Sequence, residues 1–439
     1  MEPLEEEKQI GLEVFYTETS GIGGRIRYQA DDFRVTEVPY NIRRDDNGNY
    51  VILEVTAKNW ETNHLIRELS KRLRISRKRI GFAGTKDKRG VTTQLISIYY
   101  PDELPEIKLK DVDIKVICRA SKGIDIGDLK GNLFEIKIRD VEGDIEEICT
   151  KIESIYGKLQ EIRGFPNFYG LQRFGGVRLV THLVGKYIIM GRFDKAVETY
   201  LTLTSDIESD ENREARRRFA KDKNVSEALK YFPRHLSFEL ALLNELRKGE
   251  DPLVALQSLP RNLLLMFVYA YQSYIFNRII SERIRRGLPI GEAIPGDIVI
   301  PISKYGEEDN LIPVTERNLD KVNRAISKGK AAVSAVLIGY DCRFADGEMG
   351  EIEQRIVEDE KINLKDFVVP EIPALSSAGG RRPIIAHIEK FNWKCYEDEI
   401  IDERFVVEMS FFLKKGSYAT SLLREFMKAK DIKAYLGLL

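Results

Sequence analysis

The segment GFAGTKDKRGVTTQ, residues 81–94, sets one carboxylate, Asp87, between Lys86 and the pair Lys88 and Arg89. Gly81, Gly84 and Gly90 predict a tight, exposed turn around it. Residues 91–100, VTTQLISIYY, are rich in β-branched and aromatic types and predict a strand leaving that turn. A lone acid among bases is favoured in its charged form, so its pKa is expected to be depressed. An ionised carboxylate in a basic, glycine-shaped loop suits a nucleophile acting on an anionic substrate. The competing structural reading is an acid that closes a turn and pairs with a neighbouring lysine. A nucleotide phosphate loop fails on spacing. It needs Lys directly after its last Gly and then Ser or Thr, whereas Thr85 follows Gly84 and Asp87 follows Lys86.

Two further groups have chemical potential. In GNLFEIK, Gly131–Asn132 is a turn signal and Phe134 shares a strand face with Ile136. The plain reading is a turn followed by a core aromatic. The functional reading is a base-stacking ring beside an amide that hydrogen-bonds a substrate, stacking being worth ~1–3 kcal/mol per base. Arg25 and Arg27, two apart in GGRIRYQADDF, are expected on one face of a strand.

The elements that must position these residues are legible in the periodicity. Residues 24–38, 49–57, 92–100, 112–118 and 132–139 read as strands. In the last, Phe134, Ile136 and Ile138 alternate with Glu135, Lys137 and Arg139, which predicts one buried and one wet face. Residues 62–73 read as a helix capped by Thr62 or Asn63, with Leu65, Ile66, Leu69 and Leu73 on its buried side. Asp144 caps a second helix with Ile145, Ile148, Ile152, Ile155 and Leu159 at helical spacing. After residues 164–176 the pattern turns helical to about residue 290. A mixed segment follows, and strand pattern returns at 381–391 and 403–415, before a last helix from about Ser417. Strand-rich ends around a helix-rich middle predict one domain inserted within another.

Bulk composition narrows the class. The 439 residues are 43% hydrophobic and 32% charged, which describes a globular chain with room for more than one domain. The apolar run Leu263–Phe276 is short for a membrane span and predicts a buried helix. The acidic N-terminus lacks a signal-peptide core. Four scattered cysteines suggest reduced thiols in a cytoplasmic protein, and the four histidines show no metal-ligand spacing. Net charge is −1, yet residues 60–90 hold ten Lys or Arg against three acids. A focused basic stripe on a nearly neutral chain fits a polyanion groove or a solvated amphipathic helix equally well. Nothing in the sequence points to a protein partner.

These segments together resemble the TruD family of pseudouridine synthases. The 81–94 segment resembles its AGxKD turn and T-x-Q strand, and QADDFRVTE, 29–37, its N-terminal motif. GNLFEIKIR, PNFYGLQRFG, YQSYIFNRI and LKKGSYATSLLRE are similar to further family motifs and follow the family's order. The resemblance implies an α+β pseudouridine synthase fold with a mixed, mainly antiparallel sheet. It implies a discontinuous catalytic domain, residues 1–165 and 376–439, and an inserted, largely helical TRUD domain, residues 166–375. It implies a tRNA substrate, typically uridine 13, isomerised without metal, nucleotide or organic cofactor. By resemblance Asp87 is the nucleophile and Arg27 its basic partner, where the family usually has Lys. Asn132 and Phe134 position the uridine, and Phe33 is a pocket aromatic. Lys86, Lys88 and Arg89 are expected as RNA contacts, within a stripe from Arg67 to Arg89 that holds phosphates. The alternatives are a noncatalytic RNA-binding protein on the same fold and a nucleotide-dependent enzyme using the glycine-rich turn.

Overall fold

The computed structural model describes residues 1–86, 88–303, 306–307 and 310–438. Asp87 therefore lies outside the described residues. The chain divides into two units, Thr19–Gly164 with Ala386–Leu439, and Met1–Glu18 with Phe165–Ile385.

The first unit is built on a sheet that holds nine strands among the described residues. In chain order its elements are β1 (Gly23–Ile26), β2 (Phe33–Pro39), β3 (Tyr50–Lys58), α1 (Thr62–Leu73), β4 (Ile80–Phe82), β5 (Val91–Tyr99) and β6 (Val112–Ala120). Then follow β7 (Leu129–Val141), α2 (Ile145–Glu161), β8 (Glu389–Glu397), β9 (Phe405–Lys414), α3 (Ala419–Met427) and α4 (Lys433–Leu436). The strand order is β8-β9-β7-β2-β5-β3-β6, with β1 on β7 and β4 on β5. Only the β2–β5 pair is parallel among the described ladders, so the sheet is mixed and mainly antiparallel.

Helices cover both ends of one sheet face. Leu65, Ile66, Leu69 and Leu73 of α1 pack on Val51, Leu53, Val55, Ile96 and Ile98 of β3 and β5, each buried aliphatic side chain contributing ~1.5–3 kcal/mol. At the other end Phe391 of β8 stacks on Tyr156 of α2 and on Phe426 of α3. Between them lie the central strands β2 and β7.

Three local expectations are corrected. The expected strand 24–38 is two strands, because Arg27 adopts a left-handed φ of 59° and a short 3-10 turn, Ala30–Asp32, intervenes. The cap of α1 is Glu61, whose carboxylate accepts from the amides of Asn63 at 2.9 Å and His64 at 3.0 Å. A charged acceptor at this N-terminus satisfies two orphan amides at once. Arg139 is not on a wet face. It is buried, donating to Asp32 at 2.9 Å, Asp398 at 2.6 Å and Glu399 at 3.0 Å. Burial works against its charge, but the Glu399 and Asp32 hydrogen bonds hold its guanidinium above the usual arginine range.

The second unit is largely helical and carries a small sheet of five strands among the described residues, including Ile298–Ser303, Ala331–Leu337 and Gly380–Pro383. Its longest helix, Arg261–Arg285, outruns the expected apolar segment. It is long and apolar enough to cross a membrane, but 67% of its apolar window is buried inside the protein, as in a core helix. The unit extends beyond the expected insert in two places. Residues 1–18 belong to it because Asn277 donates to the Ile10 carbonyl at 2.9 Å and Ser281 to that of Gly11 at 2.8 Å. Residues 376–385 belong to it because Gly380–Pro383 pairs with Ala331–Leu337.

Candidate active site

The candidate residues meet in the middle of the sheet face, on β2 and β7, where Phe33, Glu37 and Phe134 are buried. Side chains two apart on a strand share a face, so Phe33, Val35 and Glu37 of β2 point the same way. Across the ladder Ile136, Phe134 and Asn132 of β7 stand directly opposite them. Phe33 and Phe134 meet edge to face at 6.5 Å, and Phe134 stacks on Phe411 of β9 at 5.4 Å. Phe134 is thus a packed ring, 8% exposed. Asn132 is the more accessible of the pair, yet its Oδ1 is shut off from solvent with no hydrogen-bond partner among the described residues. A buried, unsatisfied amide oxygen costs ~1–3 kcal/mol, which a hydrogen-bond donor brought to it would offset.

Arg25 and Arg27 do not share a face. Arg25 pairs with Asp140 at 2.8 Å. The left-handed turn at residue 27 swings Arg27 the other way, where its guanidinium carbon lies 4.0 Å from the centre of the Phe33 ring. Gly437, just past α4, approaches this turn closely. A Cβ added there meets the Arg27 Cβ at 2.6 Å, and its φ of 65° suits glycine.

The described residues on either side of position 87 are held at three points. The Ala83 carbonyl accepts from Gly127 at 2.8 Å, and the Gly90 carbonyl accepts from Asn59 at 2.9 Å. Gly90 itself lies against the Phe33 carbonyl, with a φ of 148°, and an added Cβ would sit 2.5 Å from that oxygen. Between these points the Lys86 amide donates to Thr62 Oγ1 at 2.8 Å.

Lys86 corrects the expectation that it contacts RNA. Its ammonium lies 2.6 Å from Glu37 Oε2, with both side chains buried, so its charge is already matched inside the protein. Lys88 and Arg89 are exposed. Arg67, Lys71, Arg72, Arg74, Arg77, Lys78 and Arg79 are exposed too. Lys71 is paired with Glu68 at 2.8 Å. Arg72, Arg74, Arg77 and Lys78 have no acidic partner among the described residues, in a chain otherwise dense with ion pairs.

Sequence reasoning missed Glu37, Thr62 and Gln94. Glu37 had a usable signal: period two puts it on the face of Phe33 and Val35, and an acid on a buried face needs a cation. Gln94 is buried on the face of β5 that packs on α1, and its Oε1 has no partner among the described residues. Thr62 gave no signal beyond its place at the helix start.

Residues 9–426 match the family model described as tRNA pseudouridine synthase D (TruD). A relative from Methanococcoides burtonii, named probable tRNA pseudouridine synthase D, is 43% identical over 97% of this chain and 98% of its own length. One of the same name from Pyrococcus abyssi is 39% identical over 94% of this chain and 98% of its own. A TruD crystal structure from Methanosarcina mazei aligns with a TM-score of 0.87 at 39% identity, covering 100% of both chains.

Proposed function

This chain belongs to the TruD family of tRNA pseudouridine synthases, and we propose that it isomerises uridine 13 of tRNA to pseudouridine with Asp87 as the catalytic nucleophile and no cofactor. The observation that supports this reading most is the row Arg27, Phe33, Phe134 and Asn132 on one sheet face, beside the turn pinned by Lys86 and Gly90. In this reading the first unit is the catalytic domain and the helical unit is the TRUD domain.

The chemistry asks little beyond these groups. The bond from N1 of the base to C1′ of the ribose breaks, the base turns, and a bond from C5 to C1′ forms. A proton leaves C5 and N1 gains one, so nothing is oxidised or reduced. Cleavage builds positive character at C1′, which an ionised carboxylate relieves by attack on C1′ or by taking the C2′ proton. A 2′-deuterium isotope effect on the single-turnover rate separates these two first steps. Arg27 supplies a fixed positive charge toward the nucleophile. The uridine must leave its stack, at a cost of a few kcal/mol, and aromatic contact at the site offsets part of that. The exposed cations of α1 and the following turn hold phosphates of a folded RNA. In this reading the protein acts in the cytoplasm.

The test is pseudouridine mapping on unmodified transcript tRNAs incubated with wild type or Asp87→Ala and no added cofactor. Pseudouridine at position 13 with wild type alone is expected. No pseudouridine with wild type, or an active Asp87→Ala, overturns the reading.

A further inference from the structure

The Lys86–Glu37 ion pair serves no step of the chemistry above, yet it is built with care. Its atoms are 2.6 Å apart, and the two side chains are 6% and 1% exposed. Two buried ions are costly to desolvate, and an apolar pair of similar size would cost the fold less. Retaining the charges therefore calls for a reason beyond stability.

Geometry supplies one. Glu37 stands directly opposite Asn132 on the β2–β7 ladder. Its other carboxylate oxygen accepts from the Leu95 amide on β5 at 3.4 Å. It is thereby tied to the two strands that border β2. Lys86 is tied at both ends as well, by its amide to Thr62 Oγ1 at 2.8 Å and by its ammonium to Glu37. Asp87 follows Lys86 directly in the chain.

We infer that the buried Glu37–Lys86 pair is a positioning device, which anchors Lys86, the residue before Asp87 in the chain, to the sheet position opposite Asn132. The inference rests on the proposed role of Asp87. It makes Lys86 and Glu37 positioning residues that touch neither RNA nor the reacting atoms. A reacting group misplaced by about 1 Å loses on the order of 100-fold in rate.

The experiment compares wild type, Lys86→Met, Lys86→Arg, Glu37→Gln, the double variant Glu37→Gln/Lys86→Met, and Asp87→Ala. Each is measured for single-turnover pseudouridine formation on unmodified tRNA, for tRNA affinity by filter binding, and for thermal unfolding. The double variant leaves no stranded charge, so it stays folded where a single variant does not. Expected is a rate about 100-fold lower in every folded variant of the pair, with affinity within about threefold of wild type. The effect of the double variant matches that of one single change rather than their product. Lys86→Arg, which keeps a cation for Glu37, recovers part of the rate. A folded double variant at the wild-type rate overturns the inference, as does lost affinity at an unchanged rate, the mark of a phosphate contact. If Asp87→Ala itself keeps the wild-type rate, the proposed function fails instead, whatever the pair does.

Discussion

Arg27 leaves strand β1 in a left-handed conformation, φ 59°, and sets its guanidinium carbon 4.0 Å from the centre of the Phe33 ring. Backbone and side chain pull in opposite directions here. A non-glycine residue in that conformation costs ~1–2 kcal/mol, and the cation–π contact returns roughly 0.5–2 kcal/mol. Arg27→Gly removes both. We expect it to unfold within about 1 kcal/mol of wild type in urea, yet to form pseudouridine roughly 100-fold more slowly, the scale for losing one charged group aimed at a reacting centre. A large loss of stability at an unchanged rate assigns Arg27 to the fold alone.

Asn132 carries the opposite signature to a structural amide. Its Oδ1 is buried with no partner among the described residues, so removing it relieves a cost rather than breaking a bond. Asn132→Leu is expected to unfold at or slightly above the wild-type temperature. Its kcat/KM on tRNA should fall by about 10- to 100-fold, the worth of about 1.4 to 2.7 kcal/mol of lost uridine contact. Unchanged kcat/KM takes Asn132 out of the site.

These two residues also show what was legible beforehand. The sheet, α1 and α2 followed from apolar periodicity, because each element buries a single face and the pattern records it. Asn132 and Phe134 were nominated from a turn signal beside an alternating strand, and Phe33 from family resemblance alone; their apposition across β2 and β7 needs the register. What escaped depends on register and conformation. Period two assigns Glu37 to a face but does not say that Lys86, 49 positions away, is its counter-ion. Arg27 was placed on a face with Arg25 because alternation presumes extended backbone, and one left-handed residue cancels it. The role of Gly437 needs the chain end to return to the Arg27 turn, which no local pattern encodes. Residues 1–18 join the helical unit through hydrogen bonds from Asn277 and Ser281 to their backbone, which no apolar pattern records.

The basic ridge behaves differently from the candidate sheet face. Arg72, Arg77 and Lys78 are exposed and have no acidic partner among the described residues, so their charge is available to phosphate. Each phosphate contact adds roughly 0.7–0.9 to the slope of log affinity against log salt. The triple variant Arg72→Ala/Arg77→Ala/Lys78→Ala should flatten that slope by about 2 and weaken binding evenly across RNA sequences. Filter binding between about 50 and 200 mM salt reads it. An unchanged slope makes the ridge a solvated helix face.

The helical unit carries a pH-dependent term that owes nothing to RNA. His182 is buried between Phe174, 5.5 Å away edge-on, and Tyr274 at 5.1 Å. Burial pushes its imidazole down from 6.5 to about 4, because a charged ring loses more hydration than it recovers from Glu360. The folded state therefore binds fewer protons than the unfolded chain between those values. Its contribution is fully present above pH 6.5 and is lost as pH falls toward 4. The full interval amounts to about 3 kcal/mol. Glu360 overlaps only at the acid end: burial opposes its charge, but Lys186 and the other donors hold it below its usual 4.5. Its own contribution is present above 4.5 and falls only at lower pH, which leaves the range from 6.5 to 5 to His182. His182→Phe keeps the ring and removes the proton site. Urea unfolding of the helical unit should lose stability between pH 6.5 and 5 in wild type and stay nearly level there in His182→Phe. Parallel curves for the two proteins across that range mean that His182 is not held neutral by burial.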